Sequence, residues 1–440
     1  MSRIPRARTT LLVLFAINLL NFYDRQILAV VSEPIRKEFM WGDGALGWLN
    51  TAFVLLYAVI GLPLGRWSDM GKRVKLLAGG LAVWSVFTGL SGLARGYWTM
   101  FLARIGVGVG EAACSPASNS LLGDLYPATQ RARAISVFML GLPLGIFLSN
   151  LLSGIIARDF GWRMSFFAAA VPGLLLVLVV MRLPEPVRGG ADGTAAARAL
   201  PAATTGFWAP FLALMKIPTL RWIVISGALQ NFNVYAVNAF LPAYLMRWHK
   251  LSLAQVGFVS AMVLGASGLV SLVVGGIVAD KLHHWRRDGR LLFASVAIAL
   301  HAPLLYVALA LPQGEVTAFA WLVGIAWLLF YVYYATVYAA IHDVVPAELR
   351  GSAMSLYFFW MYVLGGAFGT AILGMISDRA AKGAMVAAGA TEMTEAFRAT
   401  GLHDAFGIVP VLGIALAVLL FMASRTIGKD IDALKSAAPV

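Results

Sequence analysis

The sequence predicts an all-α membrane protein: twelve transmembrane helices arranged as two six-helix bundles. Three observations predict it. Hydrophobic residues make up 60% of the chain and charged residues only 12%, against about 45–50% and about 25% in soluble domains. Twelve apolar segments reach the roughly 20 residues that a helix needs to cross a bilayer. Motifs of the first half also return in the second at one constant offset.

The segments fall near 11–32, 46–65, 74–94, 97–122, 133–157, 164–182, 219–246, 253–279, 290–311, 315–341, 352–377 and 403–424. We call them spans 1 to 12. The start, "MSRIPRARTT" followed by apolar residues, imitates a secretory leader. The run is too long for one, carries Asp24 and Arg25, and has no small-residue cleavage pattern. It reads as a first span with a basic flank. An even number of spans puts both termini on one side. That side carries 22 of the 34 basic residues and the other side 10, so the termini are expected to be cytoplasmic. The net charge of +13 is then topology, and no nucleic-acid partner is expected. Cys114 is the only cysteine, so no internal disulfide is possible. Absent glycosylation sequons and short loops point to a bacterial inner membrane; a monomer is the separate expectation.

Between spans 6 and 7 runs "LPEPVRGGADGTAAARALPAATTG", rich in Pro, Gly, Ala and Thr and without an apolar period. After it, "FWAPFLALMKIPTLRW" has the look of an interfacial helix. The organisation is therefore an N-terminal bundle (1–182), a cytoplasmic linker with an interfacial helix (183–218), and a C-terminal bundle with a short cytoplasmic tail (219–440). "DLYPATQRARAIS" after span 4 returns as "DVVPAELRGSAMS" after span 10. Asp124 matches Asp343, Pro127 matches Pro346, Arg131 matches Arg350 and Ser136 matches Ser355, always 219 residues apart. Asp159 and Asp378 keep the same offset. Parallel repeats of this kind build many secondary transporters, with the substrate near the midplane.

"GRWSDMGKR", after span 2, resembles the loop signature of the major facilitator superfamily, and "GIVADKLHH" echoes it weakly after span 8. The residues concerned are Gly65, Asp69, Gly71, Lys72, Arg73 and Asp280. The resemblance implies a cytoplasmic gate, latched while the protein is open to the outside. The plain alternative is basic flanking of a membrane helix.

Span 4 carries Arg104, Gly108, Glu111, Ser115 and Asn119 at steps of four, three, four and four, one face of a continuous helix. On span 1, Asn18, Asn21 and Arg25 share a face, with Asp24 beside them. Ionisable groups inside a bilayer are costly and are read first as functional; two acids and two bases together soften that cost. Asp24 and Glu111 are the candidates for proton coupling. Arg25 and Arg104, with Ser115 and Asn119, are the candidates for an anionic head group. An ion pair that only fixes span 1 on span 4 is the alternative. The second half offers Asn231, Tyr235 and Asn238 on span 7, Tyr331, Tyr334 and Tyr338 on span 10, and Tyr357 and Trp360 on span 11. Of these, Asn231, Tyr235, Tyr334, Tyr338, Tyr357 and Trp360 are candidates for an apolar-aromatic wall, with helix packing as the alternative. His301 reads as a packing or interface residue and the His283–His284 pair as solvated. No metal spacing, Walker loop or nucleophile elbow is present, so no cofactor and no ATP-driven step is expected.

"NFYDRQ" on span 1, "RIGVGVGEA" on span 4 and "DLYPATQRARAIS" together resemble the spinster-like branch of that superfamily. The superfamily likeness runs over nearly the whole chain, the spinster-like one mainly over residues 18–160. The resemblance implies a secondary transporter in the major facilitator fold, with lysolipid-like substrates, and assigns Asp24, Arg25, Arg104 and Glu111 to a charged cavity. Proton-coupled alternating access on an amphipathic or anionic small molecule follows as the expectation. An organic-anion or sugar-acid symporter and a multidrug exporter are the rivals. An intramembrane enzyme using Glu111 beside Cys114 or Ser115 lacks a base and nucleophile with an orienting third group.

Overall fold

In a computed structural model of the chain, residues 4–187, 209–346 and 349–437 are described, and they are helical with short turns. Most of the Pro/Gly/Ala-rich linker lies outside them, as do the side chains of Asp69, Arg131, Asp280 and Arg350. Among the described residues, ten helical stretches are long and apolar enough to cross a membrane. They account for spans 1, 2, 3, 5, 6, 8, 9, 10, 11 and 12. Span 7 is the helix Pro218–Arg247, whose buried Gln230, Asn231 and Asn233 lower its apolarity. Span 4 is two helices, Tyr97–Glu111 and Cys114–Leu125. The uninterrupted helix expected there is broken at Ala112–Ala113. Pro116 explains the break: its ring would meet the carbonyl of Ala112, four residues back. With these two added to the ten, the count agrees with twelve.

The sequence did not signal three further elements. A short helix, Ser32–Phe39, follows span 1 and stops at Met40, which is left-handed (φ 58°). Two π-helical turns, Ala261–Ala266 and Met361–Gly366, interrupt spans 8 and 11. Such turns loosen the backbone ladder and are frequent at functional sites. Of the interfacial segment, Ala209–Leu214 is helical, with Leu214 buried and Leu212 exposed.

The chain forms two compact units. The first comprises residues 1–41, 48–202 and 252–261. Close glycine packing organises it around span 4. A Cβ added at Gly108 would sit 2.7 Å from the carbonyl oxygen of Phe53, and one at Gly110 would sit 2.7 Å from that of Gly80. Only glycine admits spans 2 and 3 so near to span 4. Glu38, after span 1, accepts hydrogen bonds from Arg163 Nη2 (2.6 Å) and Trp162 Nε1 (2.7 Å) at the start of span 6. The Arg163 guanidinium holds the Glu38 carboxyl below the usual carboxylate range.

The second unit comprises residues 42–47, 203–251 and 262–440. It holds a buried polar node. Arg247 donates two 2.7 Å hydrogen bonds to Asp43, and Ser377 Oγ donates a third at 2.7 Å. Asp378 accepts from the backbone N–H groups of Asp43 (3.0 Å) and Gly44 (2.8 Å). A carboxylate there satisfies the unpaired donors at the start of helix Asp43–Met70. His301, as expected, packs: its Nδ1 lies 3.0 Å from the Ala326 carbonyl, with its ring on Phe330.

Candidate functional site

The first unit buries its four intramembrane charges together. Arg25 Nε donates to Glu111 Oε2 at 2.7 Å. Thr88 Oγ1, on span 3, donates to Asp24 Oδ2 at 3.2 Å. Arg104 has Glu111, Asp24 and Arg25 as its electrostatic neighbours. Exposure separates the four: the Arg25 side chain is 11% exposed, while Glu111, Arg104 and Asp24 are 0, 1 and 2% exposed. Arg25 is thus the member that reaches the surface of the cluster.

Span 2 completes the setting. The Phe53 ring lies between the two guanidinium groups, 5.4 Å from that of Arg25 and 4.7 Å from that of Arg104. Tyr57, one turn on, lies 4.4 Å under Arg25. Aromatic faces attract cations most where water is excluded. Phe53, Tyr57 and Thr88 were not among the residues the sequence marked. Their four-residue step on an otherwise apolar helix gave Phe53 and Tyr57 no distinguishing signal.

The cluster is incompletely satisfied. Among the described residues, Asp24 Oδ1, Glu111 Oε1 and the Nε and Nη2 atoms of Arg104 have no hydrogen-bond partner. Asn21 Nδ2 lies beside Glu111 and Trp84 Nε1 beside Asp24, neither in full hydrogen-bond geometry. Buried polar atoms are nearly always bonded, and clusters that are not tend to be working sites. Two oxygens and four donor atoms left open among the described residues can take up a proton, an anion or both. Ser115 and Asn119 stand half-buried past the helix break, and Asn119 Nδ2 bonds back to Ser115 O at 2.9 Å.

The gate residues divide. Arg73, 1% exposed, is held by Asp124 at the end of span 4, by Ser120, and by Glu185 after span 6 at 2.8 Å. In the second unit, Arg290 bonds Asp343 at 2.8 Å, so the two repeat-related aspartates each hold an arginine at the start of the odd-numbered span before them. Gly71 N–H bonds Trp67 O at 2.7 Å, where the helix Asp43–Met70 that carries span 2 ends. Lys72 is exposed, and a Cβ at Gly65 would meet nothing within 4 Å.

In the second unit the aromatic residues form a continuous run. Ring centroids of Tyr331, Tyr334, Tyr338 and Tyr357 follow one another at 5.7 Å. Tyr357 donates to Tyr333 at 3.2 Å, and Tyr333 shares a 2.8 Å hydrogen bond with Ser226. Tyr333 is the member the sequence did not mark. Asn231 donates to Met361 O at 3.1 Å, a carbonyl at the start of the π-helical turn in span 11. Tyr235 meets Tyr362 edge-on at 6.4 Å. Trp360 meets Phe359 edge-on and joins the tyrosine run through no ring contact among the described residues.

Helical spans that fit a count of twelve, in two compact units and with charges buried inside the first, are the make-up of a membrane-transport carrier. Residues 14–370 match the model of the Major Facilitator Superfamily, and the chain belongs to that superfamily. It is 29% identical over 374 residues to an MFS-type efflux pump of Mycolicibacterium smegmatis, covering 85% of each chain. It is 28% identical over 396 residues to protein spinster homolog 1 of Mus musculus, covering 86% of this chain and 74% of that one. Its fold is similar to the crystal structure of a bacterial homologue of the human lysosomal transporter Spinster, in an inward-facing and unoccupied conformation. There the TM-score is 0.87 at 26% identity, over 97% of this chain and 98% of the other. The protein is an integral-membrane transporter resembling the spinster-like branch.

Proposed function

We propose that the protein is a proton-coupled secondary transporter of an amphipathic, anionic small molecule of lysolipid type, working by alternating access. The observation that carries this reading is the buried set of Asp24, Arg25, Arg104 and Glu111, with open donor and acceptor atoms on both sides of a 2.7 Å ion pair. A carboxylate gains from opposite charge and loses from desolvation, and a change of access alters both at once. Asp24 and Glu111 are assigned the proton, Arg25 the anionic group, and Arg104 a supporting charge. The tyrosine run, with Asn231 and Tyr235, suits the apolar part of the molecule. Gly65, Asp69, Gly71, Lys72, Arg73 and Asp280 are assigned to a cytoplasmic gate, in a monomer whose termini face the cytoplasm of a bacterial cell.

The test is uptake into proteoliposomes under an imposed pH gradient, with lysophosphatidylglycerol, a sugar acid and a cationic drug as cargoes. Gradient-driven movement of the lysolipid, abolished by Arg25→Gln, supports the reading. Movement of the drug alone supports the second reading, a multidrug exporter, which the similarity to the mycobacterial efflux pump favours.

A further inference from the structure

The first unit also carries an apolar groove away from the charged cluster. It has a volume of about 460 Å³, within the range of small-molecule sites. Leu64 and Trp67 of span 2 form one wall and Gly110 the back. The floor belongs to the helix Arg73–Gly92. Along it Lys75, Gly79 and Val83 follow at four-residue steps, one stripe about 12 Å long at 1.5 Å per residue. Gly79 keeps the floor open, since a Cβ there would meet no atom within 4 Å. At one end the groove is closed by polarity alone: Lys72 and Lys75, both exposed, line its mouth and make no ion pair among the described residues.

We propose that this groove binds one chain of an anionic diacyl phospholipid from the surrounding leaflet, its head group held by Lys72 and Lys75. The chemistry follows from the two ends. Hydrocarbon outside the protein is as apolar as the groove, so burial of a lipid chain distinguishes no lipid from another. Selection has to come from the head group, and two exposed ammonium groups that make no ion pair among the described residues select negative charge. Trp67, 58% exposed, has the amphipathic ring that settles at head-group depth. The back of the groove reaches Gly110 and Ala113, which flank the break after Glu111, so its occupant touches the segment that carries the buried acid.

The experiment is native mass spectrometry of the delipidated full-length protein, titrated with phosphatidylglycerol or with phosphatidylcholine of the same chains. One saturable phosphatidylglycerol is expected to bind about thirtyfold more tightly than phosphatidylcholine, as two lysines near a lipid surface warrant. Lys72→Gln with Lys75→Gln, on exposed positions, should erase that preference while phosphatidylcholine binding stays. Gly79→Leu fills open space and should weaken both lipids. Lys382→Gln, exposed on the helix that continues past span 11, should change nothing. Equal binding of the two lipids by the unaltered protein, a preference that survives the double lysine change, or affinities untouched by Gly79→Leu would each overturn the proposal.

Discussion

Arg25 and Glu111 meet at 2.7 Å across spans 1 and 4, with the carboxylate wholly buried and the guanidinium 11% exposed. The pair ties the two helices, and one partner keeps a path outward. Removing one member of a buried pair strands the other, at a cost of about 3–5 kcal/mol. Arg25→Gln should therefore lower the apparent melting temperature in detergent clearly more than Glu111→Gln. A neutral Gln still fits beside Arg25, which has solvent and the rings of Phe22 and Tyr57. The double variant should be more stable than Arg25→Gln alone. Additive losses across this cycle, followed by scanning fluorimetry, would refute the coupling.

The node of Asp43, Arg247, Ser377 and Asp378 makes a second case. Asp43 and Arg247 are 2 and 4% exposed and bonded through two 2.7 Å contacts. Arg247→Gln should destabilise by about 3–5 kcal/mol. Arg247→Lys keeps the charge but loses the fork, so it should fall between. Asp378→Asn removes a charged cap from a helix start, worth about 1 kcal/mol. The measurement is thermal denaturation of the three variants in one detergent, and the order of their losses checks the assignment.

Glu185 provides a pH handle outside the membrane. Its burial pushes the carboxyl up, but the N–H groups of Val74 and Arg73 and the Arg73 guanidinium outweigh that and hold it below its ordinary value. A carboxyl with a lowered folded-state pKa stabilises above its unfolded value, near 4.3, and that contribution fades as pH falls through the folded value. Glu185→Gln should cost more stability at pH 7 than at pH 3.5. A loss that is the same at both values, read by denaturation at matched ionic strength, contradicts this account.

How much was legible follows from where the information lies. Composition and a 219-residue offset spell out the spans and the duplication, because bilayer crossing is a local property of each segment. Asp24, Arg25, Arg104 and Glu111 were legible because a charge in an apolar run has no other ready explanation. The partners were not. Glu185 lies 112 residues from Arg73, and Phe53 is one apolar residue among many on its helix until span 4 packs against it through Gly108. The break after Glu111 was written in Pro116, yet a regular three-and-four spacing runs straight through it and hides it. Arg73 and Arg290 escape the repeat pattern because they are 217 residues apart, two short of the offset of their aspartates.

The two buried acids should behave differently when neutralised. Asp24 has one weak partner, Thr88 at 3.2 Å, and an oxygen with none among the described residues. Glu111 is held by Arg25 at 2.7 Å. If a proton enters and leaves with the substrate, the acid paired to Arg25 must lose its partner when an anion takes the guanidinium, and that exchange links the two ligands. Glu111→Gln should then retain substrate exchange across a membrane with no gradient and lose accumulation driven by pH. A tenfold proton gradient is worth about 1.4 kcal/mol, so accumulation of up to about tenfold per proton is what disappears. Asp24→Asn should lose it too, but with a smaller change in substrate affinity, since the 2.7 Å bond to Arg25 is made by Glu111. The readouts are counterflow and gradient-driven uptake of labelled lysophosphatidylglycerol in the same vesicle preparation. Accumulation by Glu111→Gln at the level of the unaltered protein would remove Glu111 from the proton path and leave the ion pair as architecture.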